Sequence, residues 1–126
     1  MIEKKFRFRN FRVYKEALSF RKELKLFSRN KFPKEERFCL TSQLWRALDS
    51  IILNIAEGSD RSTDKDFANF LNKSHTSLNE VVACLDSALE DGYITNNDVN
   101  YYLLKANDIA DQLTAFRNNL IENPKK

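Results

Sequence analysis

The stretch Leu40–Gly58, LTSQLWRALDSIILNIAEG, decides the fold. On a helix of about 100° per residue, Leu40, Leu44, Ala47, Leu48, Ile51, Ile52, Ile55 and Ala56, with Trp45 at the edge, cover an arc of about 180°. A surface helix needs only about 100° of apolar stripe. The remaining face carries Gln43, Arg46, Ser50, Asn54 and Glu57 in a single row, at steps of three or four residues. A helix this apolar packs on two sides. It is either the centre of its own bundle or is shared between the bundle and a neighbouring subunit.

Outward from this stretch the helical period recurs three times. Upstream, Phe11, Tyr14, Ala17, Leu18, Phe20 or Arg21, Leu24 and Phe27 mark one face of a helix over about 11–30, with Asn10 as its expected N-cap. Phe32 precedes a proline and is pushed out of the α region, which ends that helix. Pro33, Glu35 and Glu36 suit the first turn of a second helix over about 34–58, either continuous into Leu40 or broken near Cys39. Gly58 is its C-terminal signal. Ser62 or Thr63 caps a third helix over about 63–91, stopped by Gly92. Thr95 opens a fourth over about 96–122, with Asp98 placed for a capping box. In that last helix Val99, Ala106, Leu113 and Leu120 repeat every seven residues, and Tyr102, Ile109 and Phe116 follow three later. Such an a/d seam is the signature of antiparallel bundle packing. Residues 1–10 are read as extended or loosely ordered, and Asn123, Pro124 and two lysines as a frayed tail. The expectation is one all-α domain over 1–126, an antiparallel up-down-up-down four-helix bundle.

Composition supports this and narrows the function. Two glycines and two prolines in 126 residues disfavour a many-turned β fold. The basic start, MIEKKFRFRNF, lacks the apolar run and cleavage site of a secretory signal, and no stretch reaches the ~20 apolar residues of a membrane span. A cytoplasmic protein with no membrane partner is expected. Cys39 and Cys84 form neither a disulfide framework nor CxxC spacing and read as small buried apolar residues. A lone His75 supports neither a catalytic triad nor a metal site, and no glycine-rich phosphate loop is present. The protein is therefore expected to be non-enzymatic and to need no cofactor or metal.

Charge is unevenly spread. Residues 1–37 hold thirteen Lys and Arg against five Asp and Glu, a local charge of +8. The remaining residues hold eight against thirteen, a charge of −5. Lys4, Lys5, Arg7, Arg9, Arg12, Lys15, Arg21 and Lys22 are the candidate nucleic-acid-binding residues, because phosphate attraction by such a cluster is sequence-independent. Phe6 or Phe8 offers a ring for base stacking. The competing reading makes this aromatic and basic segment a docking surface for a protein partner or the next subunit. Gln43, Arg46, Ser50, Asn54, Glu57 and Arg61 are read as a polar seam that sets register or assembly, with Arg61 within i,i+4 reach of Glu57.

Leu40-Thr41-Ser42-Gln43-Leu44, Arg46-Ala47, Ser50-Ile51, Asn54-Ile55-Ala56-Glu57-Gly58 and Arg61-Ser62 resemble a bacterial family. It comprises the small four-helix-bundle proteins encoded in ribosomal-RNA intervening sequences, often labelled S23 ribosomal proteins, and is related to the accessory variability protein of diversity-generating retroelements. Ala17, Phe32-Pro33 with Glu36, Phe67, Leu71, Ser77-Leu78 with Glu80, and Gly92-Tyr93-Ile94 extend the likeness over most of the chain. Two departures stand out: Trp45 occupies a position often basic, and Thr76-Ser77 replaces a common Gly-Ser pair. The resemblance implies a closed bundle that assembles as a homopentameric ring. For the retroelement branch it implies binding to nucleic acid and a reverse transcriptase. Despite the label, it does not imply a structural place in the ribosome. Together the residues and the resemblance predict an oligomeric RNA-binding adaptor whose partner is a structured RNA or an RNA–protein complex.

Overall fold

The computed structural model describes residues 5–124. Residues 1–4, including the candidate Lys4, and the final Lys125 and Lys126 lie outside the described residues. Four helices make up the fold: α1 (Arg12–Lys31), α2 (Leu40–Gly58), α3 (Asp64–Glu90) and α4 (Asn96–Glu122). Consecutive helices pack side by side, and α1 closes the bundle against α4. Every neighbouring pair is antiparallel. Residues late in α2 meet residues early in α3, as Gly58 meets Phe67 and Phe70 while Ser50 meets Ser77. Likewise Glu16 meets Gln112 and Glu23 meets Tyr101 across α1 and α4. This is the expected up-down-up-down bundle.

The core follows the apolar periods. α2 buries Leu44, Ala47, Leu48, Ile51 and Ile55, and α4 buries Val99, Tyr102, Ala106, Ile109 and Leu113 along its heptad seam. α1 buries Val13, Ala17, Phe20, Leu24 and Ser28, with Phe11, Tyr14 and Phe27 at its margins. The helix ends obey local chemistry. Thr63 accepts a hydrogen bond from the Asp66 N–H, and Thr95 with Asp98 forms a full capping box. Gly92, at φ +82°, closes α3 while the Tyr93 N–H donates to the Ala88 carbonyl.

Several local expectations are decided or corrected. Of the two alternatives for 34–58, the break near Cys39 is the one found: Lys34–Glu36 form a 3-10 turn and α2 begins at Leu40. Cys39, the N-cap residue, offers no side-chain acceptor, and the Glu36 carboxylate takes that role from the Leu40 N–H at 3.2 Å. Glu36 also accepts from the Tyr93 hydroxyl at 2.7 Å, which pushes the phenol up to about 12. The break leaves Cys39 exposed, so only Cys84 is the small buried residue anticipated for both. Arg7–Asn10, expected to be extended or loosely ordered, form a 3-10 turn, and Phe11, not Asn10, stands at the N-cap of α1.

Gly58 has a different purpose from the one its position suggested. It lies inside the helix with an ordinary backbone; among the described residues only Gly92 has positive φ. A Cβ at Gly58 would sit 2.5 Å from Phe70 Cβ and 2.9 Å from Phe67 Cδ1. The glycine is there so that α3 can approach. Beyond it the α2–α3 interface stays thin: the Ser74 hydroxyl donates to the Ile51 carbonyl and the Ser77 hydroxyl to Ser50 Oγ, each at 2.8 Å. Gly58→Ala is therefore expected to destabilise the protein by about 1–3 kcal/mol through overpacking. Urea unfolding should show a lower midpoint with an unchanged slope.

Candidate nucleic-acid interface

α1 carries its basic residues in two sets with different fates. Lys15, Lys22 and Arg29 are spaced by seven residues, so they drift only about 20° per step around the helix and stand about 10.5 Å apart along it. All three are exposed, and none forms an ion pair among the described residues. Lys5 and Arg9, in and beside the N-terminal turn, are exposed as well.

Arg7, Arg12 and Arg21 are engaged instead. The Arg7 guanidinium lies over the rings of Phe11 and Phe67, at 5.4 and 5.6 Å, and donates to the Ser59 carbonyl at 3.0 Å. Those two rings meet Phe116 at 5.1 and 5.2 Å, so Arg7 covers an aromatic cluster that ends the bundle. Arg12 pairs with Glu16 at 2.6 Å and reaches Asp108 at 3.9 Å. These contacts are largely solvent-exposed and contribute little to stability. Arg21 and Lys25 both bind Asp49 of α2, at 2.6 and 2.9 Å.

The polar row of α2 divides. Ser50 meets Ser77 across the α2–α3 interface, and within α2 the Asn54 amide donates to the Ser50 carbonyl at 2.9 Å and to Ser50 Oγ at 3.0 Å. Arg61 binds Asp66 at 2.8 Å, reaches Glu57 at 3.9 Å and lies over Phe70. Gln43 and Arg46 are exposed: both line a groove with Glu80 and Ser87 of α3, and Arg46 also lines a second groove on the α1 side of α2.

One of these grooves went unnoticed in the sequence. It occupies about 680 Å³ between the end of α1, the 34–39 segment and the start of α2. Arg29, Lys34, Arg37 and Arg46 supply cations to its lining, and Phe32, Phe38 and Trp45 supply rings. Trp45 is held in place: its indole N–H donates to Ser28 Oγ at 2.9 Å, while Lys25 Nζ and the Arg29 guanidinium lie over its ring at 5.1 and 5.3 Å. Phe38 is 84% exposed, with Arg37 over its ring at 5.8 Å. The readable signal was the interleaving of Arg29, Lys34 and Arg37 with Phe38 and Trp45. It crosses a helix break, so no single period connects those residues. His75 lies elsewhere, in a groove of about 270 Å³ with Asn72 and Arg117 between α3 and α4.

Asp49 governs how much positive charge this side of the bundle presents. Partial burial pushes its carboxyl up, but hydrogen bonds from Lys25 and Arg21 outweigh that and hold it below the ordinary carboxylate value. A carboxyl depressed on folding stabilises above its unfolded pKa and loses that contribution as pH falls through the folded one. Asp49 is 40% exposed, so solvent screening limits the effect to at most about 1 kcal/mol. Asp49→Asn is expected to unfold at lower urea than the parent at neutral pH. The gap should narrow below about pH 4, where the parent carboxyl also becomes protonated.

Residues 9–115 match the family described as 23S rRNA-intervening sequence protein. A solved structure of a protein of unknown function from the S23 ribosomal protein family of Bacteroides thetaiotaomicron VPI-5482 superposes with a TM-score of 0.72. It shares 25% sequence identity, and the match covers 83% of this chain and 97% of that one. No curated protein matches the sequence. Among the described residues no helix is long and apolar enough to cross a membrane. A match over this length, on a bundle with the same four-helix architecture, identifies the chain as a member of the 23S rRNA-intervening sequence protein family.

Proposed function

We propose that this protein is a non-enzymatic adaptor that binds RNA, or RNA within a ribonucleoprotein, through the basic outer face of α1. One observation carries the reading: Lys15, Lys22 and Arg29 form an exposed row free of ion pairs among the described residues, on a chain whose acidic excess lies after residue 37. Cations held by carboxylates of the same chain must give up those partners to meet phosphate; these need not. The bundle keeps the row straight, so binding requires little reorganisation. The family's ribosomal-RNA context agrees with an RNA partner. Assembly into a homopentameric ring, part of the same proposal, would repeat the row around one particle and raise avidity without any new contact.

A protein-docking role for the N-terminal segment is the second reading. It rests on Phe6 and the 61% exposed Leu53, which line one groove of about 520 Å³ beside Glu57 and Arg61. That reading predicts apolar, salt-insensitive association that Phe6→Ala abolishes.

The adaptor reading is tested by RNA binding measured between about 50 and about 200 mM salt. Lys15→Gln with Lys22→Gln should weaken binding and reduce the slope of log K against log salt by about 1–2. Arg7→Gln should lower thermal stability, because it uncovers the Phe11–Phe67–Phe116 cluster, and leave that slope unaltered. A parent protein that ignores RNA at low salt, or an unchanged slope in the lysine variant, would defeat the proposal.

A further inference from the structure

We propose that the groove lined by Phe38 and Trp45 receives an unpaired nucleotide, its base against the aromatic rings and its flanking phosphates on the surrounding cations. The inference rests on the reading that the basic face of α1 binds RNA, and extends it to a preference for single-stranded over paired segments. Three features select the occupant. Phe38 is almost fully in water, although it sits inside a concave, cation-lined site. Arg29, Lys34, Arg37 and Arg46 contribute four positive charges to that lining against one carboxylate, Asp49, which is already bound by Arg21 and Lys25. The volume of about 680 Å³ lies within the ~300–1,000 Å³ of sites that hold small molecules.

An unpaired nucleotide satisfies all three features together. A purely apolar peptide would leave the cations without partners, and an acidic one without aromatic residues would leave the rings without a flat partner, whereas every nucleotide carries both a phosphate and a flat base. Paired RNA offers phosphates but keeps its bases stacked within the helix, where their faces are not open to a protein ring. The indole N–H of Trp45 is already committed to Ser28. Lys25 and Arg29 already lie over the indole ring, so the 84% exposed Phe38 ring is the face open to a base, and stacking of this kind tolerates any base. Arg29 belongs to both the α1 row and the groove. One strand can therefore follow Lys15 and Lys22 and turn a base inward at the end of the row.

Trp45 is the sole tryptophan of the chain and reports on its own groove. Its fluorescence would be titrated with an oligouridylate of about 12 nucleotides, a length such grooves cover. Duplex RNA and polyphosphate of matched phosphate number serve as comparisons. The expected result is quenching by the single strand and affinity several-fold above that for duplex or polyphosphate. Phe38→Ala should weaken single-strand binding by about 5- to 100-fold and leave duplex binding unchanged, whereas Phe38→Tyr should retain it. Phe38 makes so little contact with the core that thermal unfolding should be unaltered in either variant. Lys15→Gln with Lys22→Gln should weaken single-strand and duplex binding alike. Equal affinity for single strand and duplex, or full single-strand binding by Phe38→Ala, would overturn the groove proposal while leaving the α1 reading standing. Absence of binding to either RNA at low salt would overturn both.

Discussion

The close approach of α3 to α2 is the constraint on which the rest of the bundle depends. At Gly58 there is no space for even a methyl group, because the β-carbon of Phe70 and the ring of Phe67 already fill it. Further along, hydroxyls stand where larger side chains would hold the helices apart. Ser74 bonds the Ile51 carbonyl and Ser77 bonds Ser50, so the polar atoms in this interface have partners. Small residues here let Ile51, Ile55, Phe67, Leu71 and Leu78 reach the centre of the core, where dispersion contacts accumulate.

The opposite pair, α1 and α4, meets less intimately. Polar links join it: Tyr101 donates to Glu23 at 2.7 Å and Gln112 donates to Glu16 at 2.8 Å. Phe27 packs on Tyr102 and Phe11 on Phe116. α1 is thus anchored along three lines, to α4 through these contacts, to α2 through Asp49 and Trp45, and to the aromatic cluster beneath Arg7. Its fourth side is left to solvent and bears Lys15 and Lys22, with Arg29 at the edge where that side meets the Trp45 groove. The position of the charged row is a consequence of how the other three sides are used.

Many of the residues that carry the family likeness turn out to work in packing. Glu36 and Tyr93 join the 3-10 turn to the α3–α4 connection, with Phe32 against the same Tyr93 ring. Ser50, bonded by Asn54 within α2, joins α2 to α3 through Ser77, and Gly58 permits that approach. These residues therefore specify a bundle more than a task. The Trp45 groove mixes the two kinds of position: Phe32, Pro33, Thr41, Ser42 and Arg46 belong to the likeness, while Trp45 departs from it and Arg29, Lys34, Arg37 and Phe38 lie outside it.

Apolar period, caps and stops are local properties, and they determined the four helices, their antiparallel order, the capping box at Thr95 and the stop at Gly92. Each is decided by residues within one or two turns of one another, so a linear reading reaches them. Whether the chain breaks between Glu36 and Leu40 stays open to such a reading, because the group that caps α2 is Glu36, held partly by Tyr93 across 57 residues. Gly58 was legible as a helix stop, but its reason was invisible, since a steric limit exists only once Phe67 and Phe70 are brought against it. The same holds for charge. A cluster of thirteen cations can be counted along the chain, but which stay open is decided by where Asp49, Glu16 and the Phe11–Phe67 rings arrive. Tertiary structure alone took Arg7, Arg21 and Lys25 into contacts, left Lys15 and Lys22 facing water, and gathered Arg29, Phe38 and Trp45 into one groove. Electrostatic partnership depends on distance in space, and sequence separation does not encode it.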